Sequence, residues 1–402
     1  MTPQQKELIT ATVPILRAGG EALTNHFYAR MLKAHPELKN TFNMGNQVNG
    51  RQKSALANAV LAYAENIENP AVLINVLKGI STKHTSLNIQ PEQYKIVGNH
   101  LIASIAEVVG DAATPEILAA WTVAFYQLAD IMIGIEKQLY TENAAKPGSW
   151  NGWRKFIIKN IVAESDEVKS FYLHPEDGQP IADFLPGQYV SVQVFVPQLQ
   201  LLQPRQYSLS SACNAEYYRI SVKREAGIAP NPYGMVSNTL HTKSVGDTVM
   251  LSAPAGIFHL QKENKNPLVL ISGGVGFTPM LSMLETNKAN IENNKTVWIH
   301  GCRHQSLHAF KEHLSNLKQE LHWLETYTFY DAVEHHEQDD TVLQGRVDLH
   351  KCKEAILLDN ANYYICGPEL FIKAQYQSLL SLNVSKDAIF YEEFGPQIIN
   401  LN

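Results

Sequence analysis

Leu268-Val269-Leu270-Ile271-Ser272-Gly273-Gly274-Val275-Gly276-Phe277-Thr278-Pro279-Met280 carries the fold class of this 402-residue chain. Its first four residues are apolar and partly β-branched, the run expected of a strand buried on both faces. The glycine-rich turn that follows is by itself a weak signal, compatible with nothing more than a tight turn. After a strand and before the helix Met280–Lys288, it puts backbone N–H groups where they can cradle a pyrophosphate. Farther along, Thr296–His300, Leu324–Tyr330 and Tyr363–Cys366 read as apolar or aromatic strands, with helices over Leu307–Leu317 and Leu370–Leu380 between them. Residues 263–402 are therefore expected to form a parallel α/β sheet.

Upstream the pattern changes twice. Phe156–Ala163, Val168–His174, Tyr189–Val196, Gln206–Ser210, Tyr218–Lys223 and Asp247–Ser252 alternate or run apolar. Glu176-Asp177-Gly178, Pro186-Gly187 and Val245-Gly246-Asp247 punctuate them, which predicts a small antiparallel β-barrel over residues 150–262. Residues 1–140 follow the helical period instead, and the small, polar stretch 141–149 reads as a linker. The expected architecture is multidomain: all-α, then antiparallel β-barrel, then parallel α/β. A length of 402 residues agrees, at about two to three domains.

Composition narrows the function. The net charge is 33 − 39 = −6, the wrong sign for a polyanion partner, so no nucleic acid is expected. Cys213, Cys302, Cys352 and Cys366 show no C-x-x-C spacing, which argues against a zinc ribbon, an iron–sulfur cluster or a disulfide framework and fits a reducing cytoplasm. The first residues, Met1-Thr2-Pro3-Gln4-Gln5-Lys6-Glu7, lack a signal-peptide apolar run. Ile117–Ile135 is long and apolar, but Thr122, Gln127 and Asp130 are costly in lipid, so it reads as a core helix and no stable membrane insertion is expected. His304, His308, His313, His322, His335 and His336 have no common ligand spacing and read as exposed loop and helix residues.

The helical part carries polar intruders on apolar stripes. His84 follows Leu73, Leu77 and Ile80 on one face; Gln52 shares a face with Leu56, Val60 and Tyr63. Tyr28 lies between Thr24 and Leu32, Tyr94 precedes Val97 and Leu101, and Glu136 ends the run Trp121, Phe125, Leu128, Met132. A lone histidine on such a face is ordinarily a satisfied core residue. Five buried polar groups without partners would each cost about 1–3 kcal/mol, more for the carboxylate. A macrocyclic cofactor resolves the conflict, with an axial imidazole on one side and a Tyr and a Gln facing a ligand on the other.

Phe42-Asn43-Met44-Gly45-Asn46-Gln47, Asn49-Gly50-Arg51-Gln52, Lys83-His84-Thr85-Ser86 and Pro91-Glu92-Gln93-Tyr94 resemble the globin domain of flavohaemoglobins. The resemblance implies haem b, with His84 as the iron ligand, Phe42 wedged against the macrocycle, and Tyr28 and Gln52 over the distal face. It makes Tyr94 and Glu136 a proximal relay, with Glu136 or Tyr94 accepting from the His84 ring N–H, a bond that gives the imidazole partial imidazolate character and pushes electron density onto iron-bound oxygen. Lys83 resembles the family lysine between haem and flavin, though a solvated surface lysine is an equal reading.

Pro186-Gly187-Gln188-Tyr189 and Arg205-Gln206-Tyr207-Ser208 resemble the FAD site of ferredoxin-reductase-like proteins. There Arg205 would pair with the pyrophosphate, as a planar guanidinium does, and Tyr189, Gln206, Tyr207 and Ser208 would meet the flavin. The loop Gly227–Gly234 before Val236-Ser237 is longer than the family pattern. Gly274, Val275, Gly276, Phe277, Thr278 and Pro279, with Cys366-Gly367-Pro368, resemble the nicotinamide-nucleotide site of the same reductases, and Glu392-Glu393-Phe394-Gly395-Pro396 resembles their flavin-covering segment. After the second strand of that sheet no acidic residue stands ready for a ribose 2′-hydroxyl. Arg303 could tolerate a 2′-phosphate, so NADH and NADPH both stay open.

Across the chain these motifs imply a flavohaemoglobin: a globin at 1–140, a linker at 141–149, an FAD domain at 150–262 and an NAD(P)-binding domain at 263–402. The implied activity is nitric oxide dioxygenation, with O2, NO and NAD(P)H as small-molecule partners, in a cytoplasmic monomer with no obligate protein partner. Two rivals are an oxygen-binding or oxygen-sensing globin with an attached haem reductase, and a general NAD(P)H-dependent flavin reductase of ferric iron, quinones or hydroperoxides.

Overall fold

A computed structural model of the chain describes residues 1–45, 51–227, 233–261, 265–288, 295–332 and 341–394, without the side chains of 51–53. Two compact units emerge: Met1–Trp153 with Gln193–Arg205, and Arg154–Val192 with Gln206–Asn402.

The first unit is built from α1 (Pro3–Ala34), α2 (Arg51–Glu65), α3 (Ile74–Ser86), α4 (Pro91–Val109) and α5 (Pro115–Ala145). Local chemistry starts them. Thr2 Oγ1 accepts from Gln5 N at 3.2 Å and Gln5 Oε1 accepts from Thr2 N at 2.9 Å, a reciprocal cap that opens α1. Pro91 and Pro115 sit in the first turns of α4 and α5, where a missing N–H costs nothing. α5 is the one described helix long and apolar enough to cross a membrane, yet Ala120, Trp121, Ala124, Ala129, Met132 and Glu136 on it are buried among the other helices. It also runs to Ala145, because Glu142, Asn143, Ala144 and Ala145 tolerate helix; Pro147-Gly148, with Gly148 at φ 70°, lies just beyond its end. The segment Gln193–Arg205 is tied into this unit by Gln203, fully buried, whose Oε1 accepts from Met44 N at 3.0 Å and whose Nε2 donates to Lys39 O at 2.8 Å.

Two apolar clusters fill the helical core. One gathers Tyr28, Phe27, Met31, Tyr63 and Leu101, with Phe42, Leu56 and Ile102 against them. The other is Leu77, Tyr94, Ala129 and Met132, with Ile80 beside it. Leu73, Phe125 and Leu128 pack against both.

A six-stranded sheet follows, from β1 (Arg154–Ala163), β2 (Val168–Pro175), β3 (Tyr189–Val196), β4 (Leu201–Ser208), β5 (Tyr218–Lys223) and β6 (Thr248–Leu251), in the order β4-β3-β6-β1-β2-β5. The pairs β1–β2, β1–β6 and β2–β5 are antiparallel. The sheet curls on itself: beyond β4, Leu209 bridges Ile220 of β5, and Ser210 N donates to Arg219 O at 2.9 Å. β4 begins at Leu201 rather than at Gln206. Pro204 would exclude these residues from a central strand, but β4 is terminal in the strand order, where a missing donor is tolerated.

The second sheet comprises β7 (Leu268–Gly273), β8 (Thr296–Cys302), β9 (Leu324–Tyr330), β10 (Val342–Gln344), β11 (Asn362–Gly367) and β12 (Ile389–Glu393), in the order β10-β9-β8-β7-β11-β12 with every neighbouring pair parallel. Between the strands run α6 (Met235–His241, before β6), α7 (Phe277–Lys288), α8 (Lys311–Glu320), α9 (Lys353–Ile356) and α10 (Glu369–Ser381). Alternation along β7 explains the layering: Leu268 and Leu270 join one core with Met280, Leu284, Leu314 and Trp298, while Val269 and Ile271 join the other with Ile372, Leu379 and Ile365. α8 starts at Lys311, later than its apolar pattern predicts, because Phe310 adopts φ 61° and forces a turn there. The chain order reverses between β7 and β11, the crevice where open α/β sheets bind ligands.

Gly98 shows how tightly α4 meets α5. A Cβ there would lie 2.5 Å from the Phe125 ring. Gly98→Ala is expected to overpack this crossing and lower stability by about 1–3 kcal/mol, read as a lower urea midpoint by far-ultraviolet circular dichroism; an unchanged midpoint contradicts it.

Candidate functional site

At the end of α3, the helical stripe delivers His84 toward α4 and α5. Its Nδ1 lies 2.8 Å from Glu136 Oε1 and 3.1 Å from the Tyr94 hydroxyl, and Tyr94 donates to the same Glu136 oxygen at 2.6 Å. Glu136 is 3% exposed and Tyr94 9%. A carboxylate only accepts, so Nδ1 is the donor of this pair, the tautomer that leaves the lone pair of a neutral imidazole on Nε2. Burial, reinforced by Glu136, pushes the Tyr94 phenol far above its ordinary range, so it remains a donor. An imidazole held by Nδ1, with Nε2 free to donate its electron pair, is the donor set a haem iron requires, so these residues fit such a group.

Tyr140, one helical turn beyond Glu136, was not singled out by the sequence reading. Its hydroxyl donates to Ile89 O at 2.6 Å and so ties α5 to the turn between α3 and α4. A spacing of four from Glu136 on the same stripe was the available signal.

In the other cluster, Tyr28 is buried, with Phe27 at 4.9 Å and Phe42 at 5.8 Å between ring centroids, both edge-on. Leu56, Val60 and Ile102 share that cluster. Gln52 lies on α2, and its side chain is outside the described residues. Lys83 is half-buried, one residue before the imidazole.

In the barrel, Tyr189 is buried and exchanges backbone hydrogen bonds with Ala255, each at 2.8 Å. Gln206 Nε2 donates to Ser191 Oγ at 3.1 Å. Ser208 is buried at the end of β4, Tyr207 beside it is half-buried, and Arg205 Nη1 donates to Pro204 O at 2.6 Å. Arg205, Gln206, Tyr207 and Ser208 thus occupy the end of β4, with successive side chains on opposite faces, while Tyr189 begins β3. Of the lengthened loop, residues 228–232 lie outside the described residues.

In the parallel sheet, Gly273–Gly276 leaves β7 and Phe277 begins α7, while Cys366-Gly367-Pro368 leaves the neighbouring β11. The two segments touch. A Cβ on Gly276 would fall 2.2 Å from Cys366 O and 2.8 Å from Gly367 N, and one on Gly367 would fall 2.8 Å from Phe371. Only bare backbone fits, which leaves N–H groups at a helix start beside the switch point, a cradle suited to a dinucleotide. Phe371, which carries no sequence motif, is the ring that Gly273 and Gly367 pack against. Glu392 and Glu393 belong to β12, paired with Cys366 and Gly367 of β11. Phe394 is 40% exposed. Gly395 and Pro396 lie outside the described residues.

One expectation is corrected. His308 is buried, not exposed, with Nδ1 2.7 Å from the Tyr330 hydroxyl and its ring stacked obliquely on His300 at 4.7 Å. Burial lowers both imidazoles, His300 to about 4, so both are neutral in the folded protein. His304 and His322 are exposed, His313 is half-buried, and His335 and His336 lie outside the described residues. Among the described residues no group of three His, Cys, Asp or Glu side chains forms a further metal site.

Known proteins share this arrangement. The globin family matches residues 25–132, and the oxidoreductase NAD-binding domain family matches residues 270–377. Flavohemoprotein from Rhizobium meliloti is 48% identical over 99% of both chains, and that from Bordetella pertussis is 48% identical over 98% of both. The crystal structure of flavohemoglobin from Malassezia yamatoensis, with bound FAD and heme, superposes with a TM-score of 0.84 at 29% identity, covering 98% of this chain and 99% of that one. The FAD/NAD-binding domain of nitric oxide dioxygenase from Vibrio cholerae gives a TM-score of 0.54 at 38% identity, over 60% of this chain and 99% of that one. A globin is here joined to an NAD-binding oxidoreductase. The chain belongs to the flavohaemoprotein family.

Gly276→Ala is expected to push the two glycine segments apart and weaken NADH binding by about tenfold or more, read by titrating the dinucleotide against intrinsic fluorescence. Unaltered affinity would contradict the close approach of Gly276 to Cys366.

Proposed function

We propose that this protein is an NAD(P)H-dependent nitric oxide dioxygenase that carries haem b and FAD and turns NO and O2 into nitrate. One observation carries the reading: an imidazole whose Nδ1 is fixed by a buried carboxylate lies in the same chain as a bare-backbone dinucleotide cradle. A storage globin needs no such cradle, and a plain reductase needs no such imidazole. When bound, FAD would supply the conversion of the two-electron donor NAD(P)H into single electrons, and haem would supply an iron centre for dioxygen chemistry.

The chain's residues have assigned parts in this. His84 holds the iron through Nε2, while Glu136 and Tyr94 fix the tautomer and raise the basicity of the imidazole. Tyr28 and Gln52 are the donors toward dioxygen, preorganised for negative charge that develops on it. Phe42 packs against the macrocycle. Lys83, beside His84, bears on the electron transfer from flavin to haem. Arg205 binds the FAD pyrophosphate, with Tyr189, Gln206, Tyr207 and Ser208 orienting the flavin. Gly274, Val275, Gly276, Phe277, Thr278 and Pro279, with Cys366, Gly367 and Pro368, hold NAD(P)H. Glu392, Glu393, Phe394, Gly395 and Pro396 cover the flavin. The division into 1–140, 141–149, 150–262 and 263–402 follows these tasks. On this reading the protein works as a cytoplasmic monomer without an obligate protein partner, the compartment being supported by four cysteines with no C-x-x-C spacing.

A nitric oxide electrode tests the reading with purified protein and NADH. Fast consumption that needs both oxygen and NADH and leaves nitrate is expected. Loss without oxygen, or loss of one equivalent per haem and no more, contradicts it. Tyr28→Phe removes one donor and is expected to speed oxygen release and cut turnover by about tenfold; an unchanged oxygen off-rate contradicts the part given to Tyr28.

A further inference from the structure

Arg303 follows β8 directly, at the carboxyl end of the strand that pairs with β7. In an open parallel sheet the adenosine ribose lies at that corner, beside the glycine loop. An acidic residue there accepts from the 2′-hydroxyl of NADH, whereas an arginine accommodates the 2′-phosphate of NADPH. The sequence supplies the arginine and, near it, no acid. The fold supplies the acid from elsewhere: Arg303 Nη2 lies 2.8 Å from Oε2 of Glu167, a residue between β1 and β2.

Glu167 is the better-held member of the pair. Its side chain is 21% exposed, against 52% for Arg303. Arg224 N donates to Glu167 O at 2.7 Å, and the preceding Asp166 N donates to Ser306 O at 3.3 Å, so its turn is pinned against the loop after β8. Lys223 Nζ is 3.8 Å from its other oxygen but closer, at 3.3 Å, to Glu225. Arg303 is therefore already engaged by a carboxylate fixed at the ribose corner.

We propose that Glu167 sets the dinucleotide preference, favouring NADH over NADPH. The inference rests on the reading of residues 263–402 as the NAD(P)H-binding part. A 2′-phosphate arriving at Arg303 meets a carboxylate of its own sign, and can bind only by drawing the guanidinium away and stripping Glu167 of its nearest cation. A 2′-hydroxyl needs neither, since it is itself a donor to Glu167. The specificity lies in a repulsive element as much as in an attractive one.

Calorimetric titration of the full-length holoprotein with 5′-AMP and with adenosine 2′,5′-bisphosphate tests this without turnover. The wild type is expected to bind 5′-AMP the more tightly. Glu167→Gln should shift the ratio of the two dissociation constants toward the bisphosphate by about tenfold or more. Arg303→Met in the Glu167→Gln background should cancel that shift, and Glu167→Asp should keep the wild-type order. Rapid-mixing flavin reduction should show the same shift in KM for NADPH relative to NADH. A wild type that prefers the bisphosphate, or a Glu167→Gln protein whose ratio is unchanged, overturns the proposal. A flavin that neither dinucleotide reduces would instead contradict the proposed function, while the titration still reports on Glu167.

Discussion

One oxygen atom, Oε1 of Glu136, organises the helical unit. It receives both the Nδ1–H of His84 and the hydroxyl of Tyr94, so a single acceptor on α5 fixes side chains from the ends of α3 and α4. A carboxylate buried without donors would cost several kcal/mol, and donors left facing an apolar wall about 1–3 kcal/mol each. The three groups are tolerable in the core only together. Tyr140 extends the constraint one turn along α5, holding the turn between α3 and α4 through Ile89 O. Aromatic and aliphatic residues then fill the space on either side, and Leu73, Phe125 and Leu128 join the Tyr94 cluster to that of Tyr28 and Phe42. The consequence for chemistry is a fixed tautomer: the proton stays on Nδ1 and the electron pair on Nε2.

The second unit is governed by a steric constraint. Where β7 and β11 part company, their outgoing segments come so close that Gly276 has no room for a side chain against Cys366 O. The reversal of strand order opens a crevice, and the absence of side chains exposes backbone N–H groups within it. Around this crevice the fold collects residues from far apart in the chain, including Glu392 on β12, which faces Cys366 across one ladder position. That carboxylate adds to burial in pushing the Cys366 thiol well above its usual range, so the sulfur is an inert, neutral lining group.

Period and punctuation revealed the long elements well. The strand at Leu324–Tyr330 matches its apolar run residue for residue, and on the inward stripe of α5 Trp121, Met132 and Glu136 are buried while Phe125 and Leu128 between them are half-buried. What escaped detection depended on partners distant in sequence. Pro204 disguised the start of β4, because only the strand order reveals that it is an edge. β10 spans three residues and β12 five, too short for a periodic signal. His308 followed a polar loop and looked solvated, yet Tyr330 and His300 enclose it. Glu167 stands 136 residues from the Arg303 it holds, a separation no local pattern can bridge. Each polar member of the proximal trio was conspicuous on an apolar helix face; the bond from the His84 ring N–H was implied only by the family resemblance, because no local pattern joins three helices.

The iron–histidine stretching frequency of the ferrous, haem-loaded protein, measured by resonance Raman spectroscopy in wild type and in Glu136→Gln, tests the part of that shared oxygen most directly. A carboxylate on Nδ1–H gives the imidazole partial imidazolate character and stiffens its bond to iron. The frequency is expected to be high in the wild type and to fall in Glu136→Gln, where a neutral amide oxygen replaces the carboxylate as acceptor of the Nδ1–H. An identical frequency in both proteins would contradict the electronic role of Glu136 and leave it a packing residue.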